Sequence, residues 1–225
     1  MRLVNEYTTT SPSYGLLANL EAALQGLDSP QGAAQLARAG GLAAELRERL
    51  AALGIDCLTQ EDLPADRAQA VDPLKVTAAV PGGLAVARGL ARHGVIAEKA
   101  SLASVTFVAA YHLDDDAPEL VAGALETVMA ESVHDLNGGR TGNLLADLPR
   151  RARDSGPARE REPRDLAAAV GAVAGETVEA YPPGIPILVD GFEITAGAVD
   201  HLRALAAAGA QVIATDPALR TVQVR

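Results

Sequence analysis

Four hydroxyl side chains in a row, Thr8, Thr9, Thr10 and Ser11, run through Pro12, Ser13 and Tyr14 into an apolar stretch that opens Gly15-Leu16-Leu17. Serine is a favoured N-cap because its hydroxyl accepts an orphan backbone N–H. Proline suits the first helical position because its missing N–H would have no partner there. The run therefore predicts a helix capped by Ser11 with Pro12 as its first residue. A helix N-terminus behind four hydroxyls has the donors to hold an anion, above all a phosphate. The same pattern also describes a β-branched strand end followed by an ordinary capped helix, and spacing alone favours that reading.

Further along, Leu36, Gly40, Ala43, Leu46, Leu50 and Leu53 recur at helical spacing, and Gly54 supplies a C-cap. A second helix is expected from the turn at Gly26–Pro30 to about Leu53. The Gly40-Gly41 pair weakens it by roughly 1 kcal/mol per glycine relative to alanine, which points to a close helix contact or a bend. From Val71 the pattern changes. A strand is expected over Leu74–Val80, a Pro-Gly-Gly turn, a helix over Leu84–His93, strands over Val95–Glu98 and Ala103–Ala110, and a helix from Ala117 to about Val133. Residues 137–163 mix Arg140, Arg150, Arg151, Arg153, Arg159 and Arg161 with acids and have no apolar period, so they read as a loop or linker. After them come a short helix over Asp165–Val170, a strand into Tyr181, a strand over Ile187–Val189, a helix over Ala196–Ala208, and strands over Gln211–Thr215 and Thr221–Val224. The order follows no strict βαβ repeat. It predicts α+β layers with helices on one face of a sheet.

The 225 residues are 48% hydrophobic, enough for a packed core. A net charge of −10 provides no basic footprint, so nucleic acid is an unexpected partner. The single cysteine, Cys57, excludes an internal disulfide, and no Cys/His spacing suggests zinc or another metal. No run approaches the ~20 apolar residues of a membrane span, and the N-terminus lacks the apolar core of a signal peptide. The expected setting is the cytoplasm, away from membranes.

Three stretches in order carry a resemblance. Thr9-Thr10-Ser11-Pro12-Ser13-Tyr14 is one. Asp72-Pro73-Leu74-Lys75-Val76-Thr77, with Gly94-Val95-Ile96-Ala97-Glu98-Lys99 after it, is the second. Tyr181-Pro182-Pro183-Gly184-Ile185-Pro186 is the third. Together they resemble the Thr-Thr-Ser-Pro-Ser-Tyr, Asp-Pro-x-Lys-Val-Thr, Gly-Ile-x-x-Glu-Lys and Tyr-Pro-Pro-Gly-Ile-Pro segments of the bacterial ornithine/lysine/arginine decarboxylases, pyridoxal-phosphate (PLP) enzymes of the aspartate-aminotransferase fold, type I. The resemblance implies the end of a fold-type-I large domain followed by small C-terminal α+β units: 1–70 as the tail of the large domain with interface helices, 71–136 as a small α+β domain, 137–163 as linker, and 164–225 as a C-terminal α+β unit. The family's cofactor lysine precedes the Thr-Thr-Ser-Pro segment, and only seven residues precede Thr8 here. A C-terminal part alone is therefore expected.

PLP chemistry requires a lysine amine with an acid partner for the pyridinium nitrogen. The chain has two lysines, Lys75 and Lys99, and neither lies in the family's Ser-x-His-Lys context. Both read as surface or ion-paired lysines, so no catalytic residue is expected in this chain. The resemblance implies that Thr9, Thr10 and Ser11 lie by the cofactor phosphate, and that Glu98 lies where the distal ammonium of a basic amino acid is received. Read without the family, Glu98 is a solvated strand-end acid. The chain departs from the family at Ala100-Ser101-Leu102, which lacks a threonine often found after Glu-Lys. It departs again at Asp190-Gly191-Phe192-Glu193, which replaces Pro-Gly-Glu.

Other constellations point elsewhere. Gly82-Gly83 reads as a tight turn because its spacing fits no nucleotide-binding loop. His112 with Asp114, Asp115 and Asp116 reads as acids complementing a helix N-terminus. His93, His134 and His201 have no nucleophile or ligand spacing.

The expectation is the small subunit of a split decarboxylase-type lyase, inactive alone. It would complete the active site of a partner chain that holds PLP covalently, in a hetero-oligomer built as a dimer of heterodimers, with an amino acid as small-molecule substrate. Three alternatives stay open: a non-catalytic remnant or regulatory subunit that binds a decarboxylase homologue, a split PLP enzyme with a changed reaction, and a fragment with no role of its own.

Overall fold

The computed structural model describes residues 13–62, 70–131, 160–181 and 184–225. The first helix among these residues, α1, spans Tyr14–Leu27. The cap is Ser13, with extended backbone and its hydroxyl accepting the N–H of Leu16, so the helix starts two residues later than the Ser11 cap predicts. Ser29 caps α2 (Pro30–Ala52), with Pro30 at the first helical position and the Ser29 hydroxyl 3.0 Å from the Gly32 N–H. The two helices meet at a corner that only glycine fits. A Cβ at Gly32 would run into the Gly26 carbonyl oxygen and the Leu27 backbone. Gly40 and Gly41, by contrast, have open space where a Cβ would stand, so the close contact expected at that pair lies at Gly32 instead.

Strand β1 (Lys75–Ala79), helix α3 (Gly83–Arg92), the two-residue β2 (Lys99–Ala100), β3 (Ser104–Val108) and α4 (Ala117–Glu131) follow. The antiparallel sheet has the order β1-β3-β2, with Val76 opposite Phe107 and Ala78 opposite Val105. These four face inward and are buried. Side chains alternate across a strand, so Lys75, Thr77, Lys99, Ser104 and Thr106 share the outer face. The expected strand over Val95–Glu98 is displaced to Lys99–Ala100. The helix before it ends in a turn at Gly94, whose φ of 78° glycine adopts without a Cβ clash, and Val95 N–H closes that turn on Leu90 O. Helix α2 packs Ala43, Leu46 and Leu50 into the same core as Leu90 of α3 and Leu125 of α4.

The remaining elements are β4 (Glu162–Asp165), β5 (Val178–Tyr181), β6 (Ile185–Leu188), α5 (Ala196–Ala207), β7 (Gln211–Ile213) and β8 (Thr221–Val224). They form a two-stranded sheet β4-β8 and a three-stranded antiparallel sheet β6-β5-β7. Strand β4 opens within the stretch read as loop. The helix expected over Asp165–Val170 is a run of turns, begun by Asp165 Oδ1 accepting the N–H groups of Ala167 and Ala168. An Asx-type turn offers the backbone an alternative to helix, which alanine periodicity does not reveal. A second core gathers Leu166, Val178, Leu188, Ile194 and Leu202. Ile187 packs against both cores, and Arg88 of α3 donates to Ala208 O beyond α5, so the two layers meet directly.

Candidate functional site

Thr9, Thr10 and Ser11 lie outside the described residues. What is described is the helix that follows them, and it is unusual. None of the residues of α1 is buried, and Tyr14, Leu16 and Leu20 are 82%, 72% and 58% exposed. Its only charged side chain is Glu21.

The Asp-Pro-Leu-Lys motif builds the entry to β1. Asp72 Oδ1 accepts the N–H of Leu74 at 3.0 Å, and its backbone oxygen accepts that of Lys75 at 3.1 Å. Arg47 of α2 donates to the carbonyls of Pro73 and Lys75 at 3.0 and 2.8 Å, fixing the turn to the helix behind it. Lys75 Nζ points outward, 3.8 Å from the Asp72 carboxylate. Lys99 stands on the same outer face, opposite Thr106. Hydroxyl pairs lie between and beside them: Thr77 and Thr106 are 3.0 Å apart, Ser101 and Ser104 2.7 Å. Neither lysine is enclosed or set beside an acid in a pocket, so the described residues do not by themselves fit a covalently held pyridoxal group.

Glu98 is placed by the next turn. Its N–H donates to Thr106 O at 2.9 Å, which pins the backbone to the sheet edge, while the side chain is exposed and without an ion pair among the described residues. Val95 and Ile96, three and two residues before it, line an apolar groove. No hydrogen bond or ion pair among the described residues joins Glu98 to the first helix.

Tyr181 ends β5 half exposed, Pro182 and Pro183 lie outside the described residues, and Gly184 turns the chain into β6 with φ 84°. Of the acids around His112, Asp115 alone is in an ion pair among the described residues, and Asp114 and Asp116 contribute backbone oxygens to the turn before α4. Asp115 pairs with Arg38 at 2.5 Å, Asp116 O accepts the Leu120 N–H that opens α4, and the His112 ring meets Tyr111 edge-on at 5.4 Å. No group of three His, Cys, Asp or Glu among the described residues could hold a metal ion. Among the same residues no helix is long and apolar enough to cross a membrane.

Two charged groups have structural roles that the sequence did not announce. Glu176 is 8% exposed, and its two oxygens accept the N–H groups of Thr215 at 2.8 Å and Gln223 at 2.7 Å, tying β7 to β8. Asp190 accepts a two-point contact from Arg225, 2.9 Å from Nε and 2.8 Å from a terminal nitrogen, and Arg161 adds a third donor at 3.2 Å. The hydrogen bond to Asp190 raises the Arg225 pKa further. Their partners lie 29 to 47 residues away, so no local pattern announces them. Burial lowers the pKa of His201 on α5 and raises that of the half-buried Cys57 thiol.

Comparison with known proteins gives this arrangement its context. No family model matches the chain. An arginine decarboxylase of Bacillus subtilis is 31% identical over 216 residues, covering 89% of this chain and 42% of the relative. A lysine decarboxylase of Francisella novicida superposes with a TM-score of 0.70 at 17% identity, over 97% of this chain and 44% of that one. The constitutive lysine decarboxylase of E. coli gives 0.62 at 20% identity, and lysine decarboxylase A of Pseudomonas aeruginosa 0.68 at 19%, with 44% and 43% of those chains covered. The chain spans less than half the length of each of these four proteins. The chain is thus similar in sequence to part of an arginine decarboxylase and in fold to part of lysine decarboxylases.

Proposed function

We propose that this chain works as the C-terminal part of an ornithine/lysine/arginine-type decarboxylase, a subunit that completes an active site whose PLP and PLP-binding lysine are held by a partner chain. The observation that carries the reading is α1. Directly after the hydroxyl run, the chain presents a helix with a row of exposed leucines and no buried residue, and a soluble monomer rarely leaves so large an apolar patch uncovered. A large-domain layer of the partner would cover it, in a dimer of heterodimers.

In that assembly the hydroxyls of Thr9, Thr10 and Ser11 hydrogen-bond to the cofactor phosphate, with the N-terminal end of the segment favouring its charge. Glu98, exposed and unpaired among the described residues, offers a carboxylate to the distal cation of a basic amino acid, which needs a compensating charge once enclosed. The sheet edge holds the Glu98 backbone, so the carboxylate is carried on a rigid element. The chain's own part is binding and positioning. It supplies no group that forms a covalent bond to substrate.

The test is co-expression with a PLP-domain chain of the same decarboxylase type. The reading expects a complex of defined mass, visible absorbance of lysine-bound PLP in the complex and not in this chain alone, and release of carbon dioxide from lysine, ornithine or arginine. A well-behaved monomer that unfolds cooperatively and associates with no such domain overturns it.

A further inference from the structure

An apolar groove of about 290 Å3 opens between α2, α4 and the ends of β1 and β3. Leu46, Val95 and Val121 are among its walls, and Ile96, Leu120 and Val108 form an apolar mouth, 77%, 52% and 40% exposed. Asp114 and Asp116 line it, and no lysine, arginine or histidine does. Asp115, between them in sequence, is engaged by Arg38. The groove therefore combines an uncovered apolar surface with two carboxylates that have no cation among the described residues.

We propose that this groove is the docking site for a segment of another polypeptide, apolar on one side and carrying lysine or arginine next to its apolar residues. A small molecule of the groove's own volume would leave the three side chains of the mouth in water, whereas a helix or extended segment laid across it covers them. A second copy of this chain is a poor occupant. Each copy carries −10, and α1, the one α-helix among the described residues with no buried residue, would bring Glu21 against Asp114 and Asp116. A basic, apolar segment is complementary on both counts. The inference does not depend on the decarboxylase reading, although Val95 and Ile96 belong to the turn that leads to Glu98, so an occupant would brace that turn.

The experiment uses the full chain and a synthetic helical peptide with leucines at i, i+3, i+4 and i+7 and two lysines at one end, beside a peptide identical but for glutamates in place of the lysines. Methyl NMR should show shifts at Leu46, Val95 and Val121, and the lysine peptide should bind about two- to five-fold more tightly, the scale of an exposed ion pair. Asp114→Asn with Asp116→Asn should abolish that preference, and Ile96→Ala, at an exposed position, should weaken both peptides. The proposal is overturned if shifts fall only on α1, at Leu20 and Leu24, or if the two peptides bind equally. It is equally overturned if the groove methyls respond to chain concentration alone, which would indicate self-association. Groove methyls that free up only on deletion of 137–159 would assign the groove to the chain's own arginine-rich stretch and overturn it too.

Discussion

Glu176 gives the sharpest test of how the C-terminal layers hold together. Its carboxylate is 8% exposed and accepts one backbone N–H from each of two elements that the sequence separates, Thr215 after β7 and Gln223 in β8. A hydrogen bond to a charged group contributes about 1.5–3 kcal/mol, and a buried donor left without an acceptor costs about 1–3 kcal/mol. In Glu176→Gln the amide retains one acceptor oxygen and turns an NH2 group toward the other N–H, so the loss should be about 2–3 kcal/mol. In Glu176→Ala both donors lose their acceptor, and the loss should reach about 3–5 kcal/mol. At about 2–4 °C per kcal/mol for a chain of this size, the alanine variant should melt roughly 6–20 °C lower. Thermal unfolding followed by circular dichroism measures the total. Amide exchange at Thr215 and Gln223 measures the local part, and should quicken by more than tenfold, since about 1.4 kcal/mol is a factor of ten. An alanine variant that loses under about 1 kcal/mol and leaves both amides protected would refute the assignment of Glu176 as the tie between the strands.

Glu98→Ala in the assembled enzyme should cost about 2–5 kcal/mol in kcat/KM for lysine, ornithine or arginine and little for a neutral amino acid, with PLP still bound, and equal effects on all four would remove Glu98 from the substrate site. Thr9→Ala, Thr10→Ala or Ser11→Ala should each weaken PLP retention in the complex by about 1–3 kcal/mol, read by titration of the visible absorbance. Gly41→Ala, at an exposed helical position with open space for a Cβ, should stabilise by up to about 1 kcal/mol in chemical denaturation, while Gly32→Ala should destabilise because its Cβ meets the Gly26 backbone. Burial holds the folded pKa of His201 below its ordinary 6.5, so the stability it contributes is complete above that value and is lost as pH falls toward the folded pKa; His201→Gln should flatten that part of a stability-against-pH curve.

Elements with a strong period were legible in the sequence. Helices α2, α3, α4 and α5 and strands β1, β3 and β8 stand within a few residues of where spacing and caps put them, because burial of one face and local capping agree there. The misses share a cause. The turns over Asp165–Val170 answer to a side chain bonding its own backbone, and β4 exists because β8 lies beside it, with Arg164 opposite Val222 and Asp165 opposite Thr221. Strand β2 shifted because the Gly94 turn uses up Val95 first. Glu98 was legible only as a surface acid until the family's motif singled it out, since nothing in its own neighbourhood distinguishes it. Glu176 was not legible at all, because a buried acid and a solvated one look alike until the distant N–H groups are known.

The distribution of charge in the fold bears on what such a chain contributes. Two carboxylates with reduced exposure, Glu176 and Asp190, are each satisfied by two or more donors and hold elements together. Groups so engaged are poorly placed for chemistry, because any substrate would have to displace bonds whose loss leaves a buried donor bare. The groups with free valences sit at edges: Glu98 on the sheet rim, Asp114 and Asp116 at the groove, and Lys75 and Lys99 on the outer sheet face, where Lys75 keeps only a long, half-exposed contact with Asp72. Exposed carboxylates in water attract a cation weakly, yet the same carboxylate becomes a strong determinant once another surface closes over it and the dielectric falls. In the assembly proposed above, closure of a partner surface over Glu98 and over the apolar row of α1 would supply the specificity that these exposed groups lack alone.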